Sequence, residues 1–271
     1  MEQPEYAYRV FTKHFERSGV GAERNEFTVL ELGPGDSLFA ALIAYARGAR
    51  ECYLVDTGSY ARDSVKSYHQ MVQYLEAMGL KTPAKTSLKT VGSILSACNA
   101  HYLTAGLASL RRIPDGSVDF VWSHAVLEHV RLSEFDVVMQ ELKRILKETG
   151  ICSHRVDLTD HLGGALNNLR FSQAVWESDF MAKSGFYTNR IRFGEILERF
   201  RAAGYAVEVT DVDRWEQVPI ARKNLASDFA RFADDDLRIL GFDVLLRPLK
   251  HNDLVTADSS LAVKNAETQC R

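Results

Sequence analysis

Between Thr28 and Asp56 the chain reads TVLELGPGDSLFAALIAYARGARECYLVD, and this stretch leaves few folds open. Val29, Leu30 and Leu32 make a short apolar run that Gly33-Pro34-Gly35 breaks. Asp36 or Ser37 can then cap a helix in which Leu38, Phe39, Leu42, Ile43 and Ala46 recur at helical spacing, with Gly48 as its stop. A second apolar run, Cys52 to Val55, ends on Asp56. Strand, glycine turn, helix and strand within roughly 30 residues make a βαβ unit. Such a unit binds a nucleotide-like ligand at its strand ends.

Gly33 and Gly35 carry no Cβ, so the backbone can bend sharply and a ligand can lie on the amides at the helix N-terminus. Asp56, ending the second strand, is placed to accept hydrogen bonds from two ribose hydroxyls. A dinucleotide and S-adenosylmethionine both fit this much. A dinucleotide fingerprint expects a third glycine where Leu38 stands, and it asks for no acid two residues before the first glycine. Here Glu31 occupies that place.

Glu31-Leu32-Gly33-Pro34-Gly35-Asp36-Ser37 resembles the acidic, glycine-rich first motif of class I S-adenosylmethionine-dependent methyltransferases, with Ser37 where that family usually has a third glycine. Downstream, Gly106-Leu107-Ala108 and Ile113-Pro114-Asp115-Gly116-Ser117-Val118-Asp119-Phe120-Val121 lead into Ser123-His124-Ala125-Val126-Leu127-Glu128-His129-Val130. This block is similar to that of the methyltransferase type 11 group. The resemblance implies S-adenosyl-L-methionine as cofactor. It implies that Gly33 and Gly35 hold the methionine part, Asp56 the ribose, and Glu31 the shape of the turn and the amino group, with Asp36 also among the cofactor-binding residues. Leu107 and Ala108 would lie by the adenine, and Ser123 and His124 would close the cofactor's other side. Leu107 stands where the family expects an acid for the adenine amino group, so that contact falls to backbone or Ser109.

Of the 271 residues, 46% are apolar and 25% charged, as in soluble globular proteins. A net charge of −3 points to neither a nucleic-acid track nor an anionic membrane. No run approaches the roughly 18 apolar residues of a membrane span, and MEQPEYAYRVF lacks the pattern of a signal peptide. Cys52, Cys98, Cys152 and Cys270 show no pairing or metal spacing, so a reducing cytoplasm and no metal are expected. Oligomerisation stays open.

The pattern along the chain predicts a single α/β domain over residues 1–250. We expect a doubly wound, Rossmann-like sheet of seven strands, with an antiparallel last strand, as the resemblance implies, and helical cap insertions. Tyr6, Tyr8, Val10, Phe11 and Phe15 suit an amphipathic helix, and the family's habit would fold it over the cofactor with Tyr6 or Tyr8 as lid. Residues 57–99 hold a helix with Tyr68, Met71, Val72, Leu75 and Met78, expected near the pocket rim. The third to seventh strands are expected at residues 100–105, 118–123, 151–156, 205–212 and 242–247. Ser133 would cap a helix that Gly150 closes. Residues 157–190, polar and aromatic after the fifth strand, are expected to cap the substrate, and residues 251–271 to form a flexible tail.

Methyl transfer is an in-line displacement, for which a protein aligns the reactants and supplies a base when the acceptor is a hydroxyl. His161, oriented by Asp157 or Asp160, is the preferred candidate among the histidines near strand ends. The expected function is methyl transfer to a small-molecule or glycan hydroxyl. The alternatives are a catalytically silent cofactor-binding or partner protein, and an enzyme directed at nitrogen or at protein.

Overall fold

The computed structural model describes residues 3–23 and 26–249. The expected tail, with Cys270, lies outside them. Strands β1 (Phe27–Leu32), β2 (Ala49–Val55), β3 (Ala100–Leu103), β4 (Val118–His124), β5 (Leu146–Asp157), β6 (Tyr205–Arg214) and β7 (Ile239–Pro248) form one sheet. Their order is β3-β2-β1-β4-β5-β7-β6. β7 runs antiparallel to both β5 and β6, while the pairs from β3 to β5 are parallel. The expected doubly wound sheet with an antiparallel last strand is therefore the fold. All six residues of β1 are buried, which is why the strand reads as apolar on both faces.

Helices α1 (Pro4–Ser18), α2 (Val20–Glu23), α3 (Phe39–Ala46), α4 (Val65–Ala77) and α5 (Val91–Ala97) precede β3. α6 (Leu107–Leu110) and α7 (Phe135–Ile145) follow, then α8 (Gln173–Trp176), α9 (Asp179–Ala182), α10 (Phe193–Ala202) and α11 (Asp234–Leu237). One face of the sheet buries Phe11 of α1, Leu42 of α3 and Met71 of α4 against Trp122. The other buries Leu142 of α7 and Phe200 of α10 against Val121 and Val244. In α7, Phe135, Val138, Met139, Leu142 and Ile145 recur every three or four residues, each burial contributing roughly 2 kcal/mol.

Several boundaries depart from the sequence expectation. α7 stops at Ile145, and Leu146 already begins β5, so residues 146–150 are strand rather than helix. Its N-cap is Glu134 and not Ser133. α3 starts at Phe39 without a side-chain cap from Asp36 or Ser37; the Tyr68 hydroxyl of α4 instead accepts the Leu38 N–H at 3.1 Å. The aromatic and methionine stripe of α4 is thus core rather than rim, with Tyr68, Met71, Val72 and Leu75 buried against α3. α1 also packs on the sheet as core. Tyr8 accepts from Arg47 and meets Tyr74 edge-on at 5.7 Å.

A third apolar cluster, Leu166, Leu169, Ile220, Phe229 and Leu237, joins residues 158–190 to residues 215–238. Arg192 fastens this layer to the sheet. Its buried guanidinium donates to the carbonyls of Leu158 (3.2 Å), Asp236 (2.7 Å) and Ile239 (2.8 Å), and to the Asp236 carboxylate at 3.2 Å.

Candidate functional site

A cavity of about 470 Å³ opens at the C-terminal ends of β1, β2 and β4. Its floor is the glycine turn. Gly33 and Gly35 hold φ of +73° and +66°, a region that favours glycine. The Gly33 N–H donates to Val55 O at 2.8 Å, tying the turn to β2. A Cβ at Gly35 would meet no heavy atom within 4 Å, so the turn leaves open space directly above its backbone. Asp56 closes one side. Its carboxylate accepts the Gly35 N–H at 3.0 Å and the Thr57 N–H at 2.7 Å. Leu32, Val55, Leu107, Leu110, Val126 and Val138 make most of the remaining wall apolar.

The opposite wall is the loop after β4. It starts at Ala125, whose φ of +56° is strained for a residue with a Cβ, and continues through Val126, His129, Val130 and Arg131. His129 is among the residues lining the cavity, and its ring Nδ1 lies 3.1 Å from the carbonyl oxygen of Tyr187. A carbonyl only accepts, so Nδ1 carries the proton and Nε2 keeps its lone pair. Packing around the ring, and then the adjacent His161, hold its pKa below the ordinary imidazole value. The two rings are 4.9 Å apart. Tyr187 is itself fixed: its hydroxyl donates to Glu177 at 2.9 Å and accepts the Leu132 N–H at 3.1 Å.

The structure thus brings Gly33, Gly35, Asp56 and Leu107 to one cavity and leaves other expected residues outside its lining. Glu31 is buried behind the turn with Oε2 unpartnered, and burial, then the nearby Asp56 charge, push its carboxyl well above the usual range. Asp36 borders a separate small crevice beside Arg62 and Tyr68. Ala108 is a helical residue of α6. Ser123 and His124, adjacent in a strand, take opposite faces. Ser123 Oγ bonds His154 at 2.7 Å, and His124 Nδ1 meets His14 Nε2 of α1 at 3.2 Å. Ser109 accepts the Ala105 N–H at 2.9 Å and is buried, which leaves backbone for any adenine contact.

The expected pairing of His161 with an aspartate does not form. Asp160 turns inward and accepts the N–H groups of Leu162, Ala165 and Asn167, while Asp157 accepts that of Thr159 at 2.8 Å. His161 is exposed, with Nδ1 3.4 Å from Gly185 O. Tyr6 and Tyr8 of α1 are not among the lining residues, whereas Thr57, Tyr60 and Ala182 are. Among the candidate histidines His124, His129, His154 and His161, the sequence set His129 behind His161 because it belongs to the Leu-Glu-His block, yet it is His129 that lines the cavity. Its place in the Leu-Glu-His block was visible, but its tautomer depends on Tyr187, 58 residues on.

A parallel βαβ core with a glycine turn, an acid just after β2 and a β7 inserted antiparallel define a Rossmann-like class of α/β protein. Residues 30–153, from β1 into β5, match the family described as a methyltransferase domain. This match agrees with the resemblance of the two motifs to class I S-adenosylmethionine-dependent methyltransferases, a class whose cofactor is S-adenosylmethionine. No curated protein matches the chain. Among solved structures it is similar to the YcgJ protein of Bacillus subtilis, with 16% identity and a TM-score of 0.48 over 89% of this chain and 98% of that one. It is also similar to phosphoethanolamine N-methyltransferase 2 of Haemonchus contortus, solved with phosphomonomethylethanolamine and S-adenosylhomocysteine. There the identity is 13% and the TM-score 0.48, over 89% of this chain and 52% of that one. A methyltransferase from Mesorhizobium loti has 16% identity and a TM-score of 0.45, over 82% of this chain and 91% of that one.

Proposed function

We propose that the protein transfers a methyl group from S-adenosylmethionine to a hydroxyl of a small molecule or glycan, with His129 as the base. The observation that carries the reading is the His129 tautomer: a neutral imidazole on the cavity wall with its Nε2 lone pair free of the Tyr187 bond.

The cofactor fits the residues present. The space above Gly35 admits a ligand against the turn, and Gly33 and Gly35 would carry its methionine part. The Asp56 carboxylate would take the ribose hydroxyls, and Glu31 shapes the turn from behind. Leu107 and Leu110 offer the adenine an apolar face. When bound, S-adenosylmethionine supplies a methyl carbon made electrophilic by its sulfonium. His129 Nε2 then takes the proton of the acceptor hydroxyl, and the resulting imidazolium is stabilised by the Tyr187 carbonyl on Nδ1. Burial of the ring, and then the neighbouring His161 ring 4.9 Å away, hold its pKa below the ordinary imidazole value and keep the resting ring neutral. Residues 157–190, which carry Ala182 and Tyr187, act as the cap over the acceptor.

Calorimetric titration with S-adenosylhomocysteine, with NAD as control, tests the cofactor. Micromolar binding, about −8 kcal/mol, that is lost in Asp56→Ala and absent for NAD supports the reading. No binding overturns it in favour of a silent methyltransferase-like protein. A screen of hydroxyl acceptors for S-adenosylhomocysteine release then tests the base. His129→Ala should slow turnover by about 10²-fold or more, and an unchanged rate would point to a nitrogen or protein acceptor.

A further inference from the structure

Behind the loop that carries His129 lies a second cavity, of about 190 Å³, between Leu132 and Asn189 on one side and Phe229 on the other. Arg190 lines it, 95% removed from solvent, with a backbone φ of +60°. Its guanidinium is held between the rings of Trp176 and Phe229, 5.1 and 4.7 Å from their centroids. All its hydrogen bonds go to neutral oxygens: Asn168 O at 3.1 Å, Phe171 O at 2.7 Å and Gln173 Oε1 at 2.7 Å. Nε has no partner, and no described carboxylate forms an ion pair with the group. Glu177 and Asp228 act on it only from a distance.

A buried cation without a counter-ion is costly. Loss of its proton is no remedy, since burial lowers the pKa only to about 10. The other charges lining the cavity are Arg199, Arg231, Glu195 and Asp228. Arg231 pairs with Glu195 at 2.5 Å, and Arg199 with Asp136 at 2.6 Å. Glu195 and Asp136 thus neutralise Arg231 and Arg199, and Arg190 is the lining guanidinium left without an ion pair among the described residues. Guanidinium matches phosphate and carboxylate oxygens in geometry and charge.

We propose that this cavity binds a small oxyanion, a phosphate or carboxylate group, against the Arg190 guanidinium, with Arg199 and Arg231 at its rim. The site is separate from the glycine-turn cavity and does not depend on what that cavity binds. The test is equilibrium dialysis of the full chain with radiolabelled inorganic phosphate. Ionic strength is held constant with sodium chloride, and excess S-adenosylhomocysteine covers the glycine turn. One phosphate per chain should bind saturably, and Arg190→Gln and Arg231→Gln should each weaken it at least about tenfold. Circular dichroism checks that each variant is folded. If Arg190→Gln does not fold, Arg231→Gln and Arg199→Gln decide, since both arginines reach the surface. Displacement by acetate widens the class to carboxylates, and its failure confines it to phosphoryl groups; both support the site. Absence of saturable binding in the wild type, or equal affinity in the folded variants, overturns it.

Discussion

The two glycines of the turn should fail in different ways when given a side chain. Both have positive φ, so an alanine at either position costs about 1–2 kcal/mol in backbone strain alone. Their surroundings differ. At Gly35 the added methyl meets nothing within 4 Å, so stability should fall by no more than that strain. At Gly33 it would come within 2.6 Å of both γ carbons of Val126, which must move or clash. Overpacking of this kind adds about 1–3 kcal/mol, so Gly33→Ala should cost roughly 2–5 kcal/mol in total. Ligand affinity follows a separate logic. The Gly35 methyl occupies space a ligand needs at the turn, and S-adenosylhomocysteine should bind at least about tenfold more weakly, which is 1.4 kcal/mol. Urea unfolding at pH 7 measures the first quantity and calorimetric titration the second. Equal stability losses in the two variants would refute the Val126 contact. Unchanged affinity in Gly35→Ala would refute the placement of the ligand on the turn.

Two further outcomes follow from buried groups elsewhere. His14 and His154 are buried, and burial lowers both pKa values from 6.5 to about 3, with His124, Lys13 and Asp243 as the charged neighbours of His14. The folded chain keeps both neutral while the unfolded chain protonates them. Their contribution is intact above about pH 6.5 and falls by about 3 kcal/mol per unit for the two together as the pH drops toward their folded values. Urea unfolding at pH 7, 6 and 5 would show this slope, and a flat profile would refute it. Arg192→Met removes the donors of three backbone carbonyls and one carboxylate, and should cost about 3 kcal/mol or more. An unchanged urea midpoint would show that Arg192 does not fasten the outer layer.

What the sequence displays and what it conceals divide along the range of the forces involved. β1, the glycine turn and β2 are legible because apolar runs and backbone conformation are local properties of a few neighbouring residues. The cap of α3 is not legible: the Leu38 amide is met by Tyr68, 30 residues on and on another helix. Nor is the stop of α7 at Ile145, since residues 146–150 are drawn into β5 by pairing of Leu146 with Val118. Ser123 and His124 were placed by the position of their motif. Strand alternation then sends them to opposite faces, where His154 and His14 engage them.

The same division explains why the glycine-turn end of the cavity could be anticipated and the opposite end could not. Gly33, Gly35 and Asp56 belong to one βαβ unit, and their relation is set by the unit itself. The opposite end is assembled from the loop after β4, from Ala182 of α9 and from the Tyr187 carbonyl, which meet only once the outer layer is seated. His161 and Asp157 are four residues apart, yet local hydrogen bonding separates them. Asp157 and Asp160 each bond amides of their own loop, which leaves His161 with His129 as its neighbour. Proximity in sequence favoured the aspartates as partners, but a carboxylate two residues from a free amide closes a turn first. Selecting a base therefore requires the tautomer, and here the tautomer is fixed by the carbonyl of a residue that no motif marks.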